Sequence, residues 1–323
     1  MTHKEVGMKI LITGGAGFIG SNFCHYFYNE NDDFVVFDAL TYAGNKNNLG
    51  ALLEKPNFKF IHGNICDEKM VDELFKTEKF DCVINFAAES NVESSVNNPQ
   101  IFIDSNITGV RVLLDACKKY NVKRFHQIST DEVYGELLDN ESQFYEESSL
   151  KPNNVYSVTK AAADMLVLNY HKIFGLNVTI SRCSNNFGKY QHYEKFIPKT
   201  IRHILNDENV PVHGDGLNVR DWIYVLDHCR AIDLILKNGV SGEVYNVGCH
   251  NERTNLEIAQ LILKLMGFSS NKIQFVDDRI TNDKRYSMNY DKIAKELGYE
   301  PQCDFEKSLK DTIEWYEGQL WRQ

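Results

Sequence analysis

The feature that most constrains the fold is a glycine-rich turn that comes directly after a short apolar segment near the start of the chain. The segment KILIT runs into GGAGFIGSNF, which places Gly14, Gly17 and Gly20 three residues apart. Glycines at this spacing between a strand and a helix allow a sharp turn and a close approach of the backbone to a pyrophosphate, which the helix N-terminus stabilises. The pattern alone also fits an ordinary tight turn, so its interpretation depends on the segments that come after it in the chain.

Further short apolar segments alternate with helical patterns along the next part of the chain. They are FVVFD, FKFIHGN, CVINFAA, FHQIST and NVTISRC. Alternating strands and helices predict a parallel doubly wound sheet, and near-continuous apolar strands are typical of a sheet covered on both faces. The sequence therefore predicts an α/β, Rossmann-like domain over residues 1–186, to which a later stretch at about 217–241 returns.

The pattern changes beyond about residue 183, where strand signals become shorter and polar stretches more frequent. Residues 187–323 are expected to form mainly a smaller, mixed α/β lobe that determines substrate specificity. In this lobe, LEIAQLILKLMGF and YDKIAKELGYE have the periodicity of amphipathic helices. The chain contains neither internal repeats nor low-complexity linkers, so the two lobes are predicted to be tightly joined.

Charge and cysteine usage exclude several classes of protein. The formal net charge of −10 argues against a nucleic-acid partner. The eight cysteines lack metal-ligand spacing, so we expect no metal site and reduced thiols in the cytoplasm. No run reaches the roughly 20 apolar residues of a membrane span, and the N-terminal segment lacks the order of a signal peptide. We therefore expect a cytoplasmic protein without a membrane partner.

Residues at the carboxyl ends of the predicted strands complete a dinucleotide site. Asp38 ends the second strand, where a carboxylate accepts hydrogen bonds from an adenosine ribose and repels a 2′-phosphate, which favours NAD over NADP. An aspartate that only caps the next turn is the alternative. The predicted cofactor-binding residues are Gly14, Gly17, Phe18, Ile19, Gly20, Asp38, Asn64, Ile65, Ala87, Ala88, Tyr156 and Lys160.

The segment YSVTK supplies a candidate catalytic pair. Tyr156 and Lys160 are four residues apart, so a helix places both side chains on one face. A cation near the phenol favours phenolate and lowers a pKa that is about 10 when unperturbed. The tyrosine would then remove a hydroxyl proton as hydride leaves the same carbon. A surface helix pair is the alternative, but the preceding glycine turn and strand order favour catalysis.

Four segments carry a resemblance to a known family: GGAGFIG, AAES, the pair Tyr156 and Lys160, and RCSNNFG. Together they resemble the extended short-chain dehydrogenase/reductase family over nearly the whole chain. Within it, STDEVYG resembles the dTDP-glucose 4,6-dehydratases, because related epimerases, decarboxylases and reductases carry Ser or Thr near Thr130 but lack the acid pair Asp131 and Glu132. The resemblance implies an NAD-dependent lyase that acts on a dTDP-hexose.

The resemblance also implies a role for each catalytic residue in forming the 4-keto-6-deoxy sugar nucleotide. Tyr156 takes the C4 hydroxyl proton while Thr130 hydrogen-bonds the C4 oxygen. Oxidation at C4 makes the C5 proton acidic, so Glu132 removes it while Asp131 protonates the departing C6 hydroxyl, and hydride returns to C6. Asp131 must stay protonated, and burial beside Glu132 is expected to raise its pKa. Two solvated acids in a loop are the alternative.

The family pattern extends to the sugar nucleotide. It implies an Asn on the sugar or phosphate and a Lys near the diphosphate in RCSNNFGKYQHYEKFIP, and arginines that bind phosphate bidentately. Taken singly, each of these cations also fits an ordinary surface residue. The predicted substrate-binding residues are Glu89, Ser90, Asn106, Thr130, Asn185, Lys195, Arg220 and Arg279.

The chain departs from the family pattern at three places. His192 and Tyr193 stand where an aromatic-proline pair is common, and His213 stands where a Tyr is common. Ile280, Thr281 and Asn282 stand where the family often has Pro-Gly-His. These departures concern the predicted nucleobase and sugar contacts and not the predicted catalytic residues. We assign no chemistry to His213, because a lone histidine is more often structural.

Several functions stay open on this scaffold. A CDP-glucose dehydratase is one alternative, and a UDP-sugar epimerase or decarboxylase is another. The nucleobase stays open because thymine and uracil differ by one methyl group, which contributes only about 1–3 kcal/mol to discrimination in an apolar pocket. A nucleotide-sensing protein without catalysis would need neither the acid pair nor Tyr156 and Lys160. The family resemblance implies a homodimer formed through helices near residues 100–120 and 156–174, and a place in dTDP-rhamnose or another 6-deoxysugar pathway.

Overall fold

The structure is a computed structural model that describes residues 7–138, 142–279 and 282–319. Two of the residues that depart from the family pattern, Ile280 and Thr281, lie outside the described residues. The strands are β1 (Lys9–Thr13), β2 (Asp33–Asp38), β3 (Phe58–His62), β4 (Cys82–Asn85), β5 (Arg124–Thr130), β6 (Val178–Cys183), β7 (Asn185–Phe187), β8 (Val210–His213), β9 (Val219–Tyr224), β10 (Val244–Val247), β11 (Glu252–Thr254) and β12 (Ile273–Val276).

Helices connect and flank these strands. They are α1 (Phe18–Phe27), α2 (Glu68–Glu78), α3 (Val92–Asn97), α4 (Pro99–Ile103), α5 (Val110–Lys119), α6 (Val155–Phe174), α7 (Phe196–Leu205), α8 (Val225–Asn238), α9 (Asn255–Leu265), α10 (Asp291–Leu297) and α11 (Phe305–Gly318). A π-helical segment, Asp104–Gly109, joins α4 to α5, and a 3-10 turn, Asp131–Tyr134, follows β5. The two amphipathic helices predicted from LEIAQLILKLMGF and YDKIAKELGYE are confirmed as α9 and α10.

The large sheet is parallel, as the alternating pattern predicted. Its strand order is β10-β6-β5-β4-β1-β2-β3. Neighbouring residues of β1 point to opposite faces, so Ile10 and Ile12 join one buried apolar cluster and Leu11 joins another. Helices α2, α5 and α6 contribute to the cluster around Leu11, while α1 and α8 contribute to the other. The Rossmann-like, doubly wound fold is therefore confirmed.

Strand order fixes where a ligand crevice opens. From β1 the chain builds outward to β2 and β3, and then crosses back to β4, β5 and β6 on the other side of β1. In sheets of this kind, the carboxyl ends of the strands at such a reversal form the ligand-binding crevice. The carboxyl ends of β1 and β4 are therefore the expected floor of the site.

The smaller lobe has its own strands and its own apolar core. Strands β7, β9 and β11 form a three-stranded sheet, and β8 pairs with β12. Helices α7, α9 and α11 bury an apolar cluster against these strands, which includes Phe187, Ile201, Ile262 and Leu309. The mixed α/β character predicted for this lobe is confirmed.

The stretch expected to return to the large domain is divided between the lobes. Helix α8 packs against α1, but β9 belongs to the small sheet. Strand β10, which lies beyond the predicted stretch, pairs with β6 at the edge of the large sheet. Strand β10 consists of only four residues, VYNV, and so short a segment could not be assigned as a strand from the sequence.

The division of the chain at residue 186 stays a prediction. Among the described residues, no helix combines the length and apolarity needed to span a membrane.

Candidate active site

Two adjoining cavities open at the carboxyl ends of the large sheet. The first has a volume of about 300 Å³ and runs from the glycine turn to the 3-10 turn after β5. The second, of about 580 Å³, lies between the two lobes. Residues that line both cavities mark the junction between them, and these are Glu132, Asn185, Asn186, Gln191, Glu194 and Lys195.

The structure brings together almost all the residues that the sequence singled out. Those lining the first cavity are Gly14, Gly17, Phe18, Ile19, Gly20, Asp38, Asn64, Ile65, Ala87, Ala88, Glu89, Ser90, Thr130, Asp131, Glu132, Tyr156, Lys160, Asn185 and Lys195. Arg220 and Arg279 line the second cavity. The candidate cofactor and catalytic residues thus share one cavity, and the candidate phosphate ligands lie beside it.

The glycine turn is shaped so that side chains are excluded. Gly14 has φ +67°, and a Cβ there would lie 2.5 Å from the backbone nitrogen of Ala87. A Cβ on Gly20 would lie 2.4 Å from the carbonyl oxygen of Gly14. No side chain caps the N-terminus of α1, which begins directly after Gly17. The resulting cradle beside free helix N–H groups fits the diphosphate of a dinucleotide.

Asp38 performs the role of a turn-capping residue while it also faces the cavity. Its Oδ2 accepts a hydrogen bond from the backbone N–H of Ala16 at 2.9 Å, and its Oδ1 accepts one from Leu40 at 2.8 Å. Burial raises the pKa of this carboxyl, and the two backbone donors act against that shift. The two interpretations weighed from the sequence are therefore compatible, since one carboxylate both fixes the turn and lines the cofactor cavity.

The acid pair sits on the 3-10 turn that begins directly after β5. Thr130 caps this turn, since its Oγ1 accepts a hydrogen bond from the backbone N–H of Glu132 at 3.3 Å. The same hydroxyl donates to Oδ1 of Asp131 at 3.2 Å. Asn154, the N-cap of α6, donates from Nδ2 to Oε2 of Glu132 at 3.3 Å. The turn therefore presents a hydroxyl and two carboxyl groups to one cavity.

The two carboxyl groups differ in their environment. Asp131 is buried, and its Oδ2 has no hydrogen-bond partner in the described part of the chain. Burial, followed by the adjoining charge of Glu132, raises the pKa of Asp131 to about 8. Burial also raises the pKa of Glu132, while the hydrogen bond from Asn154 opposes that shift. The upward shift expected for Asp131 is confirmed, and this carboxyl is suited to act as a proton donor.

Tyr156 and Lys160 lie in the same cavity, but their electrostatic relation differs from the sequence-based expectation. Burial and then Glu132 raise the pKa of Tyr156 well above its ordinary value, while a hydrogen bond with Thr130 opposes the shift. Burial lowers the pKa of Lys160, whose Nζ donates to the carbonyl oxygen of Ile128 at 2.6 Å. The expected lowering of the phenol pKa is wrong, because burial and the charge of Glu132 raise it and the lysine ammonium is held by a backbone carbonyl.

Asn106 lies behind the wall of the cavity and lines neither cavity within the described residues. Its Oδ1 accepts a hydrogen bond from the backbone N–H of Glu89 at 2.9 Å, and its Nδ2 donates to the Glu89 carbonyl oxygen at 3.0 Å. It also donates to Oγ1 of Thr159 at 2.9 Å. The structure does not bring this residue to the substrate side, and its contacts position Glu89 instead.

The two arginines predicted to bind phosphate have different contacts. The guanidinium of Arg220 lies 4.3 Å from the ring centre of Tyr286 and donates to the carbonyl oxygen of Asp283 at 2.7 Å. Arg279 pairs with Glu93 at 3.2 Å on a more exposed rim. Of the two arginines, Arg220 is therefore the more fixed, with an orientation set before any anion binds.

Residues 191–195, between β7 and α7, lie at the junction of the two cavities. The sequence predicted a substrate contact only for Lys195 among them. Nζ of Lys195 donates to the carbonyl oxygen of Ser90 at 2.8 Å, and Glu194 accepts a hydrogen bond from Asn91. Glu194 and Gln191 line both cavities and were not predicted. The sequence offered one indication of Glu194, because this charged residue directly precedes the predicted Lys195.

The departures from the family pattern have different positions. The rings of His192 and Tyr193 lie 4.2 Å apart, and His192 lines the first cavity while Tyr193 lines the second. His213 and Asn282 line the second cavity, where Nδ1 of His213 lies 2.9 Å from the carbonyl oxygen of Asp277. Three of the departing residues, Tyr193, His213 and Asn282, therefore line the second cavity, while His192 lines the first.

The chain is similar to known enzymes of nucleotide-sugar metabolism over almost its entire length. The family model described as GDP-mannose 4,6 dehydratase matches residues 11–312. The low-salt glycan biosynthesis protein Agl12 of Haloferax volcanii is 48% identical over 96% of this chain and 99% of that protein.

Two solved structures combine the same fold with high sequence identity. The dTDP-glucose 4,6-dehydratase of Bacillus anthracis in complex with NAD is 44% identical with a TM-score of 0.90, and covers 97% of each chain. DesIV, a dTDP-glucose 4,6-dehydratase from Streptomyces venezuelae with NAD and dTDP bound, is 40% identical with a TM-score of 0.93 over 97% of this chain and 98% of that one. The chain belongs to the GDP-mannose 4,6-dehydratase family of extended short-chain dehydrogenases/reductases, and within it to the dTDP-glucose 4,6-dehydratases.

Proposed function

We propose that this chain is an NAD-dependent hydro-lyase that converts dTDP-glucose into dTDP-4-keto-6-deoxyglucose and water. The observation that carries this proposal is the acid pair in the first cavity, of which Glu132 also lines the second. Asp131 is buried with a pKa raised to about 8, while Glu132 beside it accepts a hydrogen bond from Asn154. Neighbouring carboxyl groups in different environments are suited to opposite proton transfers. An epimerase, which eliminates no water, has no need of such a pair.

The oxidation half of the reaction requires a base and a hydrogen-bond donor at the sugar C4 hydroxyl. Tyr156 and Thr130 line the cavity together, and Thr130 begins the turn that carries the acids. We assign removal of the C4 hydroxyl proton to Tyr156 and hydrogen bonding of the C4 oxygen to Thr130. Lys160 lies one turn further along the same helix, where its Nζ donates to the Ile128 carbonyl oxygen, and we assign it to binding of the cofactor beside Tyr156.

The elimination half requires an acid and a base on the same sugar. Glu132 takes the C5 proton, and Asp131 gives its proton to the departing C6 hydroxyl, so the C6–O bond breaks and water leaves. The raised pKa of Asp131, about 8, supports its role as the acid, and the hydrogen bond that Glu132 accepts from Asn154 favours the ionised form that a base requires. After hydride returns to C6, Glu132 gives its proton back to C5, and the C4 hydroxyl proton that Tyr156 took up replaces, by exchange with solvent, the proton that Asp131 gave to the departing water.

NAD fits the first cavity because the turn around Gly14 and Gly20 has no room for side chains, and because Asp38 stands at the end of β2. When bound, NAD supplies the hydride acceptor for C4 and returns the hydride to C6. The chain's own contribution is to bind and orient it, through the first turn of α1 and the carboxylate of Asp38. No net reductant or oxidant is consumed.

The second cavity is proposed to hold the nucleoside diphosphate. Arg220 and Lys195 offer two cations close to the junction, and Asn185 lines both cavities. A guanidinium fixed between an aromatic ring and a carbonyl is well placed to bind a diphosphate. The deoxythymidine preference rests on the identity to the dTDP-glucose 4,6-dehydratases.

Direct assay of substrate range tests this proposal. Purified protein is incubated separately with dTDP-, UDP-, CDP- and GDP-glucose, and the mass of each sugar nucleotide is followed beside the redox state of bound cofactor. Loss of one water from dTDP-glucose without net reduction of NAD is expected. Loss of water from another nucleotide alone would overturn the nucleobase assignment, and an unchanged hexose mass with all four would overturn the dehydratase assignment.

The homodimer expected from the resemblance has a candidate surface on α6 and the neighbouring helical segment. Val158 and Met165 lie two turns apart on α6 and are 48% and 59% exposed. Ile101 and Ile103, on α4, are also exposed. Exposed apolar side chains that share one face are suited to burial against a second copy.

Light scattering of Met165→Lys tests the dimer surface. The variant is expected to shift mass from dimer to monomer, while Phe275→Lys, a change at an equally exposed apolar residue in the small lobe, is expected to leave it unchanged. A wild-type monomer, or a dimer that Met165→Lys leaves intact, would contradict this surface.

We further propose a cytoplasmic enzyme that supplies 6-deoxysugars, with dTDP-rhamnose biosynthesis as the pathway. The eight cysteines are all free thiols, which supports a reducing compartment. The similarity to a protein named for glycan biosynthesis supports use of the product in cell-surface glycans. Metabolite profiling of a deletion strain tests the pathway, and unchanged levels of 6-deoxysugar nucleotides would contradict it.

A further inference from the structure

A buried ion pair lies directly behind the catalytic cavity. Nε of Arg182, on β6, donates to Oδ2 of Asp164, on α6, at 2.9 Å, and both side chains are almost completely excluded from solvent. Neither residue lines either cavity in the described part of the chain. Burial of two charges brings a large desolvation cost, so such a pair is a weak device for stability alone.

The guanidinium of Arg182 also binds the turn that carries the acid pair. Its Nη1 donates to the hydroxyl of Tyr134 at 2.9 Å, and Tyr134 in turn donates to Oδ1 of Asn246, on β10, at 2.7 Å. Tyr134 is the last residue of the 3-10 turn that contains Asp131 and Glu132. One planar guanidinium is therefore bonded to the acid-bearing turn and to the catalytic helix.

The connection to the catalytic helix is equally direct. Asp164 follows Lys160 by one helical turn on α6, so their side chains lie on the same face. Burial lowers the pKa of Lys160, and the charge of Asp164 is the first of the effects that oppose this shift. The ion pair thus connects the elements that carry Tyr156 and Lys160 to the turn that carries the acids.

We propose that Arg182 is a positioning residue, which fixes the acid pair Asp131 and Glu132 relative to the helix that bears Tyr156 and Lys160. This inference rests on the proposed dehydratase function. Oxidation and elimination occur on one bound sugar, so two sets of groups must keep a fixed spacing through both half-reactions. A displacement of about 1 Å can reduce a rate by about 100-fold.

A specific kinetic signature separates positioning from general stability. If the hydrogen bond between Arg182 and Tyr134 is lost, the acid-bearing turn shifts and elimination slows. Oxidation at C4, which Tyr156 and Thr130 assist, continues. The enzyme then accumulates bound cofactor in its reduced form during turnover, which near-ultraviolet absorbance measures directly. Loss of folded protein would instead lower all steps together and leave the reduced fraction unchanged.

Tyr134→Phe is the first variant, because it removes the hydroxyl that accepts from Arg182 and donates to Asn246 but keeps the aromatic ring, whose centre lies 4.8 Å from the guanidinium. Arg182→Lys keeps a positive charge beside Asp164 but cannot reproduce the planar fork that reaches both partners. Tyr299→Phe is the matched control, since Tyr299 is also buried and donates one hydrogen bond, to the Gly248 carbonyl oxygen at 3.1 Å, outside both cavities.

The experiment measures steady-state dehydration of dTDP-glucose, the reduced fraction of bound cofactor and the melting temperature of each holoenzyme. Tyr134→Phe and Arg182→Lys are expected to lower kcat about 10- to 100-fold, to raise the reduced fraction, and to leave KM within a few-fold. Tyr299→Phe is expected to match the wild type in both kinetic readouts.

Two results would overturn the inference. One is a Tyr134→Phe enzyme with wild-type kcat and reduced fraction, and the other is a slower enzyme in which the reduced fraction does not rise. If Arg182→Lys fails to fold, Tyr134→Phe still decides the question. A wild-type chain that dehydrates no hexose nucleotide would instead contradict the proposed function, and with it this inference.

Discussion

The carboxyl groups of Asp131 and Glu132 adjoin one another in the same cavity but have different hydrogen-bond partners. Glu132 accepts a hydrogen bond from Asn154 at 3.3 Å, whereas Oδ2 of Asp131 has none among the residues described. Burial and the charge of Glu132 raise the pKa of Asp131 to about 8. We therefore expect Asp131 to act as the proton donor and Glu132 as the proton acceptor.

The pH dependence of catalysis follows from this assignment. As pH rises through about 8, Asp131 loses its proton and kcat is expected to fall. As pH falls, Glu132 becomes protonated and kcat is also expected to fall, at a pH above the ordinary range of a glutamate. A bell-shaped profile of kcat measures both limbs. An activity that stays constant from pH 7 to beyond pH 9 would contradict the role of Asp131.

Asp131→Asn is expected to lower dehydration by about 10²- to 10⁴-fold while it stabilises the fold at high pH. The native carboxyl, with its pKa raised to about 8, binds a proton that the unfolded chain releases near its ordinary value of 3.8. Native stability from this group therefore declines as pH rises between these values. Thermal melts of both proteins at several pH values check this, and a stability difference that is independent of pH would contradict it.

Glu132→Gln is expected to stop elimination but not oxidation. Loss of a general base lowers the rate of elimination by about 10²- to 10⁴-fold. Tyr156 and Thr130 remain in place, so oxidation at C4 is expected to continue. Single-turnover absorbance is expected to reveal reduced cofactor that persists, together with a hexose that has not lost water. A variant that forms no reduced cofactor would place Glu132 in the oxidation step instead.

Asn154→Asp tests the hydrogen bond to Glu132 while it keeps an N-cap residue on α6. The substitution removes the Nδ2 donor and adds a neighbouring negative charge, and both changes raise the pKa of Glu132. The acidic limb of the kcat profile is therefore expected to move to higher pH. Asp304→Asn, at the N-cap of α11 in the small lobe, serves as the remote control and is expected to leave the profile unchanged.

Cofactor selectivity is expected to depend on Asp38. Replacement by Asn removes a charge-assisted acceptor worth about 1.5–3 kcal/mol, so NAD affinity is expected to fall about 10- to 100-fold. Affinity for NADP is expected to fall less or to rise, because the charge that repels a 2′-phosphate is gone. Equilibrium binding of both cofactors measures the ratio. An unchanged preference for NAD would mean that the carboxylate only shapes the turn through Ala16 and Leu40.

Much of the fold was accessible from local sequence patterns, because the central strands β1, β2 and β4 are nearly continuous apolar segments buried on both faces. The glycine turn predicted the cofactor side for a steric reason that the structure bears out, since Gly14 and Gly20 have no space for a Cβ. Strand β10 escaped prediction because four residues at a sheet edge carry too little periodicity. Its place depends on pairing with β6, which is more than sixty residues away.

The site was predictable in composition but not in side-chain direction. Spacing placed Tyr156 and Lys160 on one face of a helix, yet it could not reveal that the Ile128 carbonyl oxygen holds the lysine. Asn106 was in the correct region, but a π-helical segment directs it towards the backbone of Glu89. Hydrogen bonds of this kind join segments that are distant in sequence, so no local pattern encodes them.

An isotope experiment tests the central claim most directly, namely that C4 oxidation, water elimination and hydride return occur in one site. The protein is incubated in D2O with dTDP-glucose that carries deuterium at C4, and the product is examined by mass spectrometry and NMR. We predict a 4-keto-6-deoxy product in which the C4 deuterium has moved to C6 and one solvent deuterium has entered at C5. A hexose that keeps its oxygen at C6, with the label still at C4, would contradict the proposed reaction.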